Sequence, residues 1–339
     1  MRFFILDAFS DGLFGGNPAA VVLLDDKEPF PDEGVMRRAA AELRYSETVF
    51  IRKETGAADR YRLRYFTVTD EVDLCGHATI AAFSVIRDEA AENTASRGAA
   101  SVSDICVRAE TAQAMRWTAL TNAGELDVEA SDNTIMMEMA APKDAAVITD
   151  EAEIAALYGS MGLDRERAAD IKALYSDLGR NSEGAEKLAK DSGSIWRPEI
   201  ISTGLPDIIL PVASQSELDS IKPDFNTVSE LSKKYGVVGI HAFSVIEDES
   251  REQCYHCRNF APLYGIPEEA ATGTSNGALT WYLYKKGRIR EDIPACFIQG
   301  EAMGRPSMVY GLLKGEGKTL NIMIGGKSAL LARGEIFLA

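Results

Sequence analysis

The sequence predicts a mixed α+β fold built from two similar halves, each with one buried helix. Residues 71–86 and 268–283 carry this prediction, since in each a polar turn with glycine leads into a long apolar run. A helix that is apolar on every side has to be buried. The many short strands predicted around these two helices favour a mixed α+β architecture over a doubly wound parallel sheet.

Alternation, apolar runs and turn residues define the other elements of the first half. They predict a strand over residues 2–6, a turn over 14–18, a strand over 19–24, a helix over 32–44, and strands over 46–51 and 61–68. Residues 88–103 are small and polar, and this composition predicts a loop.

The second half continues with strands and charged helices. The pattern predicts strands over 106–120, 124–129 and 134–139, a helix over 150–190 with a turn near Gly193, and two strands around a turn at 204–206. It then predicts a helix over 225–235, a hairpin of 237–246 with 253–260, and strands over 297–300, 307–313, 320–324 and 329–338.

Length and composition narrow the class of protein. A chain of 339 residues is long for one core, so two domains are expected. The net charge of −16 argues against nucleic acid and anionic membranes as partners, and no apolar run is long enough to span a bilayer. The five irregularly spaced cysteines indicate reduced thiols, and with no visible secretory signal we expect a cytoplasmic location.

The turns that open the two buried helices are the best candidate site. Cys75, Gly76 and His77 begin the first helix, and Gly273 and Thr274 hold the matching positions at the second. The free N–H groups of a helix N-terminus favour an anion, and glycine lets a ligand approach the backbone. We expect a cleft in which the two helix starts converge.

Cys254, His256 and Cys257 suggest a metal site at first sight. Strand alternation, however, puts Cys254 and His256 on one face and Cys257 on the other. Because a second ligand pair is missing nearby, we interpret these residues as structural and expect no metal.

Five further side chains have both a functional and a structural interpretation. His77 opens a helix beside Gly and Cys, which favours a functional role. Cys75 is either a base whose pKa the helix N-terminus lowers or a small core residue. Glu47 lies in a buried-looking strand, at a rim or in a cleft that would raise its pKa towards neutrality. Glu268 and Glu269 could simply be acidic residues of a first helical turn.

Motifs along the whole chain resemble those of one protein family. They are residues 7–9, 14–23, 46–48, 65–67, 71–79, 202–206, 260–262, 271–279, 299–300 and 304–307. In this order they resemble the phenazine-biosynthesis isomerase-like (PhzF-like) family. Residues 88–103 and 150–197 do not match it.

The resemblance implies a fold similar to diaminopimelate epimerase, with two alike domains that each wrap a β-barrel-like sheet around a central helix. The domains would be residues 1–127, with a return strand at 326–339, and residues 128–325. A homodimer is also expected. The implied activity is an isomerisation without cofactors, in which a proton is moved on a small carboxylate-bearing substrate.

Site residues follow from the same resemblance. Glu47 would be the single acid–base group, with His77 and Glu269 as further catalytic residues. The substrate would be bound by Asn17, Ser46, Gly76, Gly273 and Thr274. Glu269 and Thr274 stand where the family has aspartate and serine, so the substrate can differ.

Two other functions stay open. A related branch contains proline-racemase-like epimerases and dehydratases, in which Cys75 would be a base. A racemase with two cysteines needs a second thiol where this chain has Thr272, whereas a dehydratase with one cysteine does not. The other alternative is a protein that binds a metabolite without catalysis, which Glu47 and His77 argue against.

Overall fold

The computed structural model describes residues 1–97, 115–164, 196–245, 253–316 and 319–338. It divides into two compact units, Met1–Glu138 with Met323–Ala339, and Met139–Ile322. The first unit therefore continues past residue 127, where the sequence analysis placed the boundary. That position lies inside a strand that pairs on both sides within the first unit.

The first unit is a sheet in which successive strand pairings run from β18 through β1 to β8 and on to β17. β1 pairs with β2, β2 with β3, β3 with β4, β4 with β6, β6 with β7, and β7 with β8. β8 pairs with the end of β17, and β18 returns to β1. The strands are Arg2–Ala8, Asn17–Leu23, Thr48–Lys53, Arg60–Phe66, Glu71–Val72, Met115–Thr121, Gly124–Ser131 and Thr134–Glu138 (β1–β8), with β17 at Thr319–Gly326 and β18 at Ser328–Glu335.

Helix α2 (Gly76–Arg97) is the central helix of this unit and contacts β1, β2, β3, β8 and β18. Ala78, Ala82 and Phe83 are fully buried, which confirms the predicted buried helix. A second helix, α1 (Glu33–Leu43), packs Met36 and neighbouring alanines against another part of the core.

The second unit contains a sheet with helices on both faces. β9 to β13 pair in sequence, β13 also pairs with β14 and β15, and β15 pairs with β16. The strands are Lys143–Val147, Glu199–Ser202, Pro206–Val212, Ile240–Ser244, Cys254–Ala261, Ile266–Glu269, Ala295–Gln299 and Ser307–Glu316 (β9–β16).

Helix α6 (Gly273–Lys285) is the central helix of the second unit and contacts β10, β11 and β16. Three more helices, α3 (Glu151–Ser160), α4 (Gln215–Ser220) and α5 (Phe225–Tyr235), share a core with Leu210 and Val212 of β11. Because β11 is buried by helices on two sides, its sequence is a nearly continuous apolar run.

Several sequence predictions need correction or lie outside the described residues. The predicted loop at 88–103 is wrong up to Arg97, because α2 continues through these Ala- and Glu-rich residues, which favour helix. Residues 98–103, Cys106, the turn at Gly193 and most of the predicted helix 150–190 lie outside the described residues. Within the described part of the chain, none of the helices has the length and apolarity needed to cross a membrane.

Candidate active site

Glu47 is held at the start of β3 by the backbone. The strand begins at Thr48, so Glu47 precedes it, whereas the sequence analysis placed Glu47 inside a strand that started at residue 46. The Glu47 carbonyl accepts a hydrogen bond from the Ala20 N–H at 3.4 Å. The parallel pairing of β2 with β3 therefore fixes the position of the glutamate.

The first turn of α2 places Cys75 and His77 side by side. The Cys75 carbonyl accepts hydrogen bonds from the Thr79 N–H at 3.0 Å and from the Thr79 hydroxyl at 2.7 Å. The hydroxyls of Tyr65 and Thr79 also lie 2.7 Å apart. These buried bonds fix the residue before the helix, and the Ala78 N–H donates to the Cys75 thiol.

Four polar side chains surround the His77 imidazole. Its Nε2 lies 3.2 Å from Glu47 Oε2 and 3.3 Å from Ser46 Oγ. Its Nδ1 lies 3.3 Å from Asn17 Nδ2 and 3.4 Å from Cys75 Sγ. The side chains of His77 and Glu47 are 5% and 18% exposed, and Ser46 is exposed, so the cluster meets solvent on the side of Ser46 and Glu47.

One oxygen of Glu47 has no hydrogen-bond partner among the described residues. Oε2 is buried and lies 3.2 Å from His77 Nε2, in ion-pair contact but without a hydrogen bond of regular geometry. A buried carboxylate oxygen without a donor is uncommon and calls for an explanation. Its free lone pairs can accept a proton from a bound molecule.

Glu47 is a carboxylate at neutral pH. Burial raises its pKa, but His77, Ser46 and Cys75 outweigh burial and hold the pKa of Glu47 below its ordinary value of 4.5. The expectation that burial would bring this pKa towards neutrality is therefore wrong. The neighbouring imidazole stabilises the negative charge more than the loss of water destabilises it.

The pKa values of His77 and Cys75 are both raised above their ordinary values. Burial lowers the pKa of His77, but Cys75 and Glu47 more than offset it, and the pKa is raised well above 6.5. Burial and the charge of Glu47 raise the pKa of the Cys75 thiol above 9.0. These directions favour the interpretation of Cys75 as a small core residue over that of a base with a lowered pKa.

The start of α6 holds the second group of predicted site residues. Gly273 is the first helical residue, and the Thr272 hydroxyl before it donates to Glu269 Oε2 at 2.7 Å. The carbonyl of Thr274 accepts a hydrogen bond from the Thr203 hydroxyl at 2.9 Å. Gly273 is buried, whereas Thr274 and Glu269 are half-buried.

Glu268 and Glu269 end β14 and are not in the first turn of a helix, which corrects the structural interpretation of both residues. Glu268 forms a two-point ion pair with Arg258, at 2.8 and 2.9 Å. Arg258 also donates to the carbonyls of Leu218 and Ile221, at 3.1 Å each. Glu268 therefore has a structural role, and only Glu269 contacts the capping threonine.

A buried hydrogen-bond network behind α6 was missed by the sequence analysis. Gln299 Nε2 donates to the Glu269 carbonyl at 2.7 Å, and Gln299 Oε1 accepts from Asn276 Nδ2 at 2.9 Å. The network reaches His241, which lies 3.3 Å from Asn276. Gln299 and Asn276 stood within the family-like motifs, and that was the signal that could have found them.

The structure brings five predicted residues together in the first unit: Asn17, Ser46, Glu47, Cys75 and His77, beside Gly76. Glu269, Gly273 and Thr274 lie close together in the second unit. The predicted convergence of the two helix starts stays a prediction.

Cys254, His256 and Cys257 do not form a ligand set in the described residues. His256 Nδ1 lies 2.7 Å from Glu301 Oε2, and Cys257 Sγ lies 3.5 Å from Asn276 Oδ1. Glu47, Cys75 and His77, in contrast, place one potential ligand atom each within 4.8 Å of the others.

Known proteins resemble this chain over its full length. An uncharacterized isomerase of Deinococcus radiodurans is 29% identical over 326 residues, which cover 94% of this chain and 89% of that protein. The trans-2,3-dihydro-3-hydroxyanthranilate isomerase of Pseudomonas fluorescens is 24% identical, and the match covers 99% of this chain and 99% of that protein.

Solved structures show the same fold. A PhzF-family phenazine biosynthesis protein of Bacillus anthracis superposes with a TM-score of 0.71 at 24% identity, over 99% of both chains. A probable proline racemase of Agrobacterium radiobacter superposes with a TM-score of 0.56 at 9% identity, over 100% of this chain and 93% of that one. These neighbours confirm the predicted α+β fold of the diaminopimelate-epimerase type.

The sequence model of one family spans the motifs on which the resemblance was based. It is described as phenazine biosynthesis-like protein (PhzC-PhzF), and it matches residues 6–334. The match includes the turn at Asn17, the cluster around His77 and the start of α6. The chain therefore belongs to the phenazine biosynthesis-like (PhzC-PhzF) protein family.

Proposed function

We propose that this protein is an isomerase that moves a proton on a small carboxylate-bearing metabolite without a cofactor, with Glu47 as the acid–base group. The observation that carries the proposal is the buried Oε2 of Glu47, which lies 3.2 Å from His77 Nε2 and has no hydrogen bond of regular geometry among the described residues. A general base needs an ionised form and a free lone pair, and Glu47 has both. Relatives named isomerases support the reaction class.

The proposed mechanism uses the residues of the α2 start. The substrate carboxylate would lie at the N–H groups beside Gly76, where a helix N-terminus favours an anion. Glu47 then takes a proton from one carbon and returns it to another. The His77 imidazolium holds Glu47 in place and stabilises the charge that develops while the proton is in transfer. Asn17 and Ser46, on the two ring nitrogens, orient the imidazole.

We assign roles to three residues of the second unit because they lie at positions of the family motif. Glu269 would be a further catalytic residue, and Gly273 and Thr274 would bind the substrate. The hydrogen bond from Thr272 and the link to Gln299 hold Glu269 in one conformation, which favours such a role. We also propose a homodimer, which light scattering of the purified protein would test.

An NMR assay in deuterated water tests the reaction class. The wild-type protein is incubated with trans-2,3-dihydro-3-hydroxyanthranilate, the substrate in the name of one relative, and with other small unsaturated or chiral carboxylates. We expect at least one to be isomerised, or to gain deuterium at a carbon next to an unsaturated or carboxyl-bearing centre. Binding of these compounds without any chemical change would favour a metabolite-binding protein.

A thiol-based epimerase or dehydratase is the second candidate, because Cys75 Sγ lies 3.4 Å from His77 Nδ1. In that reaction the thiol would lose its proton to solvent, and the thiolate, beside the His77 imidazolium, would act as the base. The raised pKa of Cys75 argues against this role at neutral pH. Replacing Cys75 by serine separates the two candidates.

A further inference from the structure

A continuous chain of hydrogen bonds, here called the α6 network, runs through the second unit from Asp207 to Glu269. It joins side chains of β11, β12, β13 and β15 to the first turn of α6. Between the two acids lie, in order of contact, Ser275, Asn259, His241, Asn276, Gln299 and Thr272. Because amides and imidazoles can each be placed in two orientations, the direction of every bond has to follow from its partners.

The backbone fixes the orientation of the Gln299 amide. The Thr272 N–H can only donate, and it meets Gln299 Oε1 at 3.3 Å. The Glu269 carbonyl can only accept, and it meets Gln299 Nε2 at 2.7 Å. A flipped amide would bring two donors together at the first contact and two acceptors at the second. Gln299 is fully buried, so water cannot relieve such a mismatch.

The same argument orients Asn276 and then His241. Asn276 Nδ2 lies 2.9 Å from the Thr272 carbonyl and 2.9 Å from Gln299 Oε1, which are both acceptors, so Nδ2 is the donor. Asn276 Oδ1 therefore faces His241 Nε2 at 3.3 Å, and this nitrogen has to carry the ring hydrogen. Burial lowers the pKa of His241 to about 3, although Asn276 raises it, so the ring is neutral at pH 7. Its Nδ1 is then an acceptor for Asn259 Nδ2, at 3.2 Å.

The end of the network at Glu269 is set by one hydroxyl group. Gln299 Nε2 donates its second hydrogen to Thr272 Oγ1 at 3.1 Å. The Thr272 hydroxyl accepts this bond, and its own hydrogen is directed at Glu269 Oε2, 2.7 Å away. One buried amide therefore holds the backbone of Glu269 through the carbonyl and the carboxyl group through the threonine.

The other end of the network has the same direction. Asn259 Nδ2 donates its second hydrogen to Ser275 Oγ at 3.0 Å. The Ser275 hydroxyl in turn donates to Asp207 Oδ2 at 2.6 Å. Hydrogen bonds therefore point outward to a carboxyl group at each end. Since each bond determines the next, the position of the hydrogen on His241 reports the direction of the whole network.

We propose that Gln299 is a positioning residue for Glu269. It directs the Thr272 hydroxyl so that Oε2 of Glu269 accepts a hydrogen bond, and any proton that Glu269 exchanges with a substrate then moves through Oε1. The consequence for catalysis rests on the proposed function, whereas the hydrogen-bond arrangement does not. Active-site groups depend on such supporting hydrogen bonds for their productive geometry.

The tautomer of His241 tests the arrangement without any substrate. The sequence contains three histidines, and long-range proton–nitrogen NMR spectra distinguish Nε2–H, Nδ1–H and doubly protonated rings. A His241→Gln variant identifies the signals of His241 by their loss. At pH 7 we expect the Nε2–H tautomer in the wild type. An Nδ1–H tautomer or an imidazolium would not fit the derived Asn259 and Asn276 orientations and would overturn the proposal.

Gln299→Met tests the positioning role. Methionine is of similar length but cannot donate to Thr272. With trans-2,3-dihydro-3-hydroxyanthranilate, or the carboxylate that the wild type turns over in the deuterium assay, we expect kcat to fall at least about tenfold and KM to stay within about threefold. The matched control is Gln253→Met, because Gln253 is also buried and lies in the same unit, where it accepts from the Arg290 N–H at 3.0 Å. The control should keep the wild-type kcat, and circular dichroism checks that each variant is folded.

Thr272→Val tests whether Gln299 acts through the hydroxyl. Valine keeps the shape of threonine without the hydrogen bond to Glu269, and we expect kcat to fall at least about fivefold. The double variant with Gln299→Met should lose less than the product of the two single losses, because the two residues act in series. Losses that multiply fully, or a wild-type kcat in Gln299→Met, would overturn the proposal. If Gln299→Met does not fold, a wild-type kcat in Thr272→Val has the same meaning.

The positioning role and the proposed function fail separately. A wild type that changes none of the carboxylates would contradict the proposed function, and the His241 tautomer would still decide the hydrogen-bond arrangement. If Glu47→Gln is slow as expected but Gln299→Met and Thr272→Val match the wild type, the positioning role is wrong and the proposed function stands.

Discussion

Burial and the neighbouring His77 have opposite effects on the pKa of the Glu47 carboxylate. The backbone of β3 holds it next to a buried helix start, and the imidazole of His77 keeps it ionised. Burial alone would have left a neutral acid that has to lose its proton before it can act. The ion pair with His77 instead keeps Glu47 ionised, and so able to accept a proton, over most of the pH range.

The pH dependence of turnover follows from these two groups. The pKa of Glu47 is lowered from 4.5 and that of His77 is raised well above 6.5, so both are charged between these values. We expect kcat/KM to be flat across this interval, to fall below it as Glu47 is protonated, and to fall above it as His77 loses its proton. A profile that rises or falls steeply between pH 5 and 6, while circular dichroism shows a folded protein, would contradict this assignment.

Cys75→Ser tests whether the thiol takes part in catalysis. Serine keeps a small polar group that can accept from the Ala78 N–H but cannot act as a thiolate. With Glu47 as the base we expect turnover within about tenfold of the wild type, measured on the same substrate. A loss beyond about a hundredfold would instead favour the epimerase or dehydratase alternative.

For these residues, the sequence was a better guide to which side chains lie together than to their charge states. His77 and Cys75 were recognised because a polar turn opens an apolar helix, and Glu47 because a carboxylate lies in a buried-looking strand and matches the family motif. The pKa direction of Glu47 was predicted wrongly, and that of Cys75 was left open between two interpretations. The pKa of Glu47 depends on its distance to His77, thirty residues further along the chain, and the pKa of Cys75 depends on burial and on the charge of Glu47. Neither contact with Glu47 can be read from neighbours in sequence.

Helix α6 packs against β16 at a glycine. A Cβ added at Gly311 would overlap the Thr280 hydroxyl of α6 and come within 2.8 Å of the Phe297 ring. Since these atoms are buried, Gly311→Ala should lower the free energy of unfolding by about 1–3 kcal/mol, as overpacking usually does. Chemical denaturation measures this change.

The control for this variant is Gly334→Ala. Gly334 is also a strand glycine, in β18, and a Cβ added there meets no atom within 4 Å. We expect its unfolding free energy to stay close to that of the wild type. Equal effects of the two substitutions would show that the contact between Gly311 and α6 does not limit packing.

The elements themselves were predicted unevenly. Both central helices and most strands follow from apolar runs and glycine turns, whereas the extension of α2 to Arg97 was missed because its composition resembles a loop. The network from Glu269 through Gln299 to Asn276 joins residues from three separate elements. Such contacts arise from tertiary packing, and the only sequence signal for them was that Gln299 and Asn276 lie within the family-like motifs.

On the scale of the whole molecule, one buried acid should make stability depend on pH. Burial raises the pKa of Asp207 to about 6, against an ordinary 3.8, although Ser275 and the Gly239 N–H lower it. The folded state therefore favours the protonated acid. This contribution to stability is complete below about pH 4 and is lost as pH rises through about 6.

Asp207→Asn should remove that dependence. The amide is neutral at every pH, and its oxygen can still accept from the Ser275 hydroxyl. Relative to the wild type, we expect the variant to gain up to about 3 kcal/mol of unfolding free energy between pH 4 and pH 6. Urea denaturation at a series of pH values measures the difference, and a constant difference across this range would contradict a raised pKa.

The division into two units was expected from length and from the repeated helix starts. The boundary was placed too early, because the pairing of β7 with β8 is not visible in a single sequence. Substrate identity depends on side chains that no motif specifies. The reaction class is therefore proposed from one cluster, and its central claim is that Glu47 carries the proton.

Glu47→Gln tests that claim most directly. Glutamine keeps the size and hydrogen-bonding reach of glutamate but cannot accept and return a proton. Turnover of wild type and variant is compared in deuterated water, with binding of the same carboxylate measured in parallel. The account predicts that the variant folds, still binds the ligand, and turns over at least about a hundredfold more slowly. Isomerisation by the variant at the wild-type rate would contradict it.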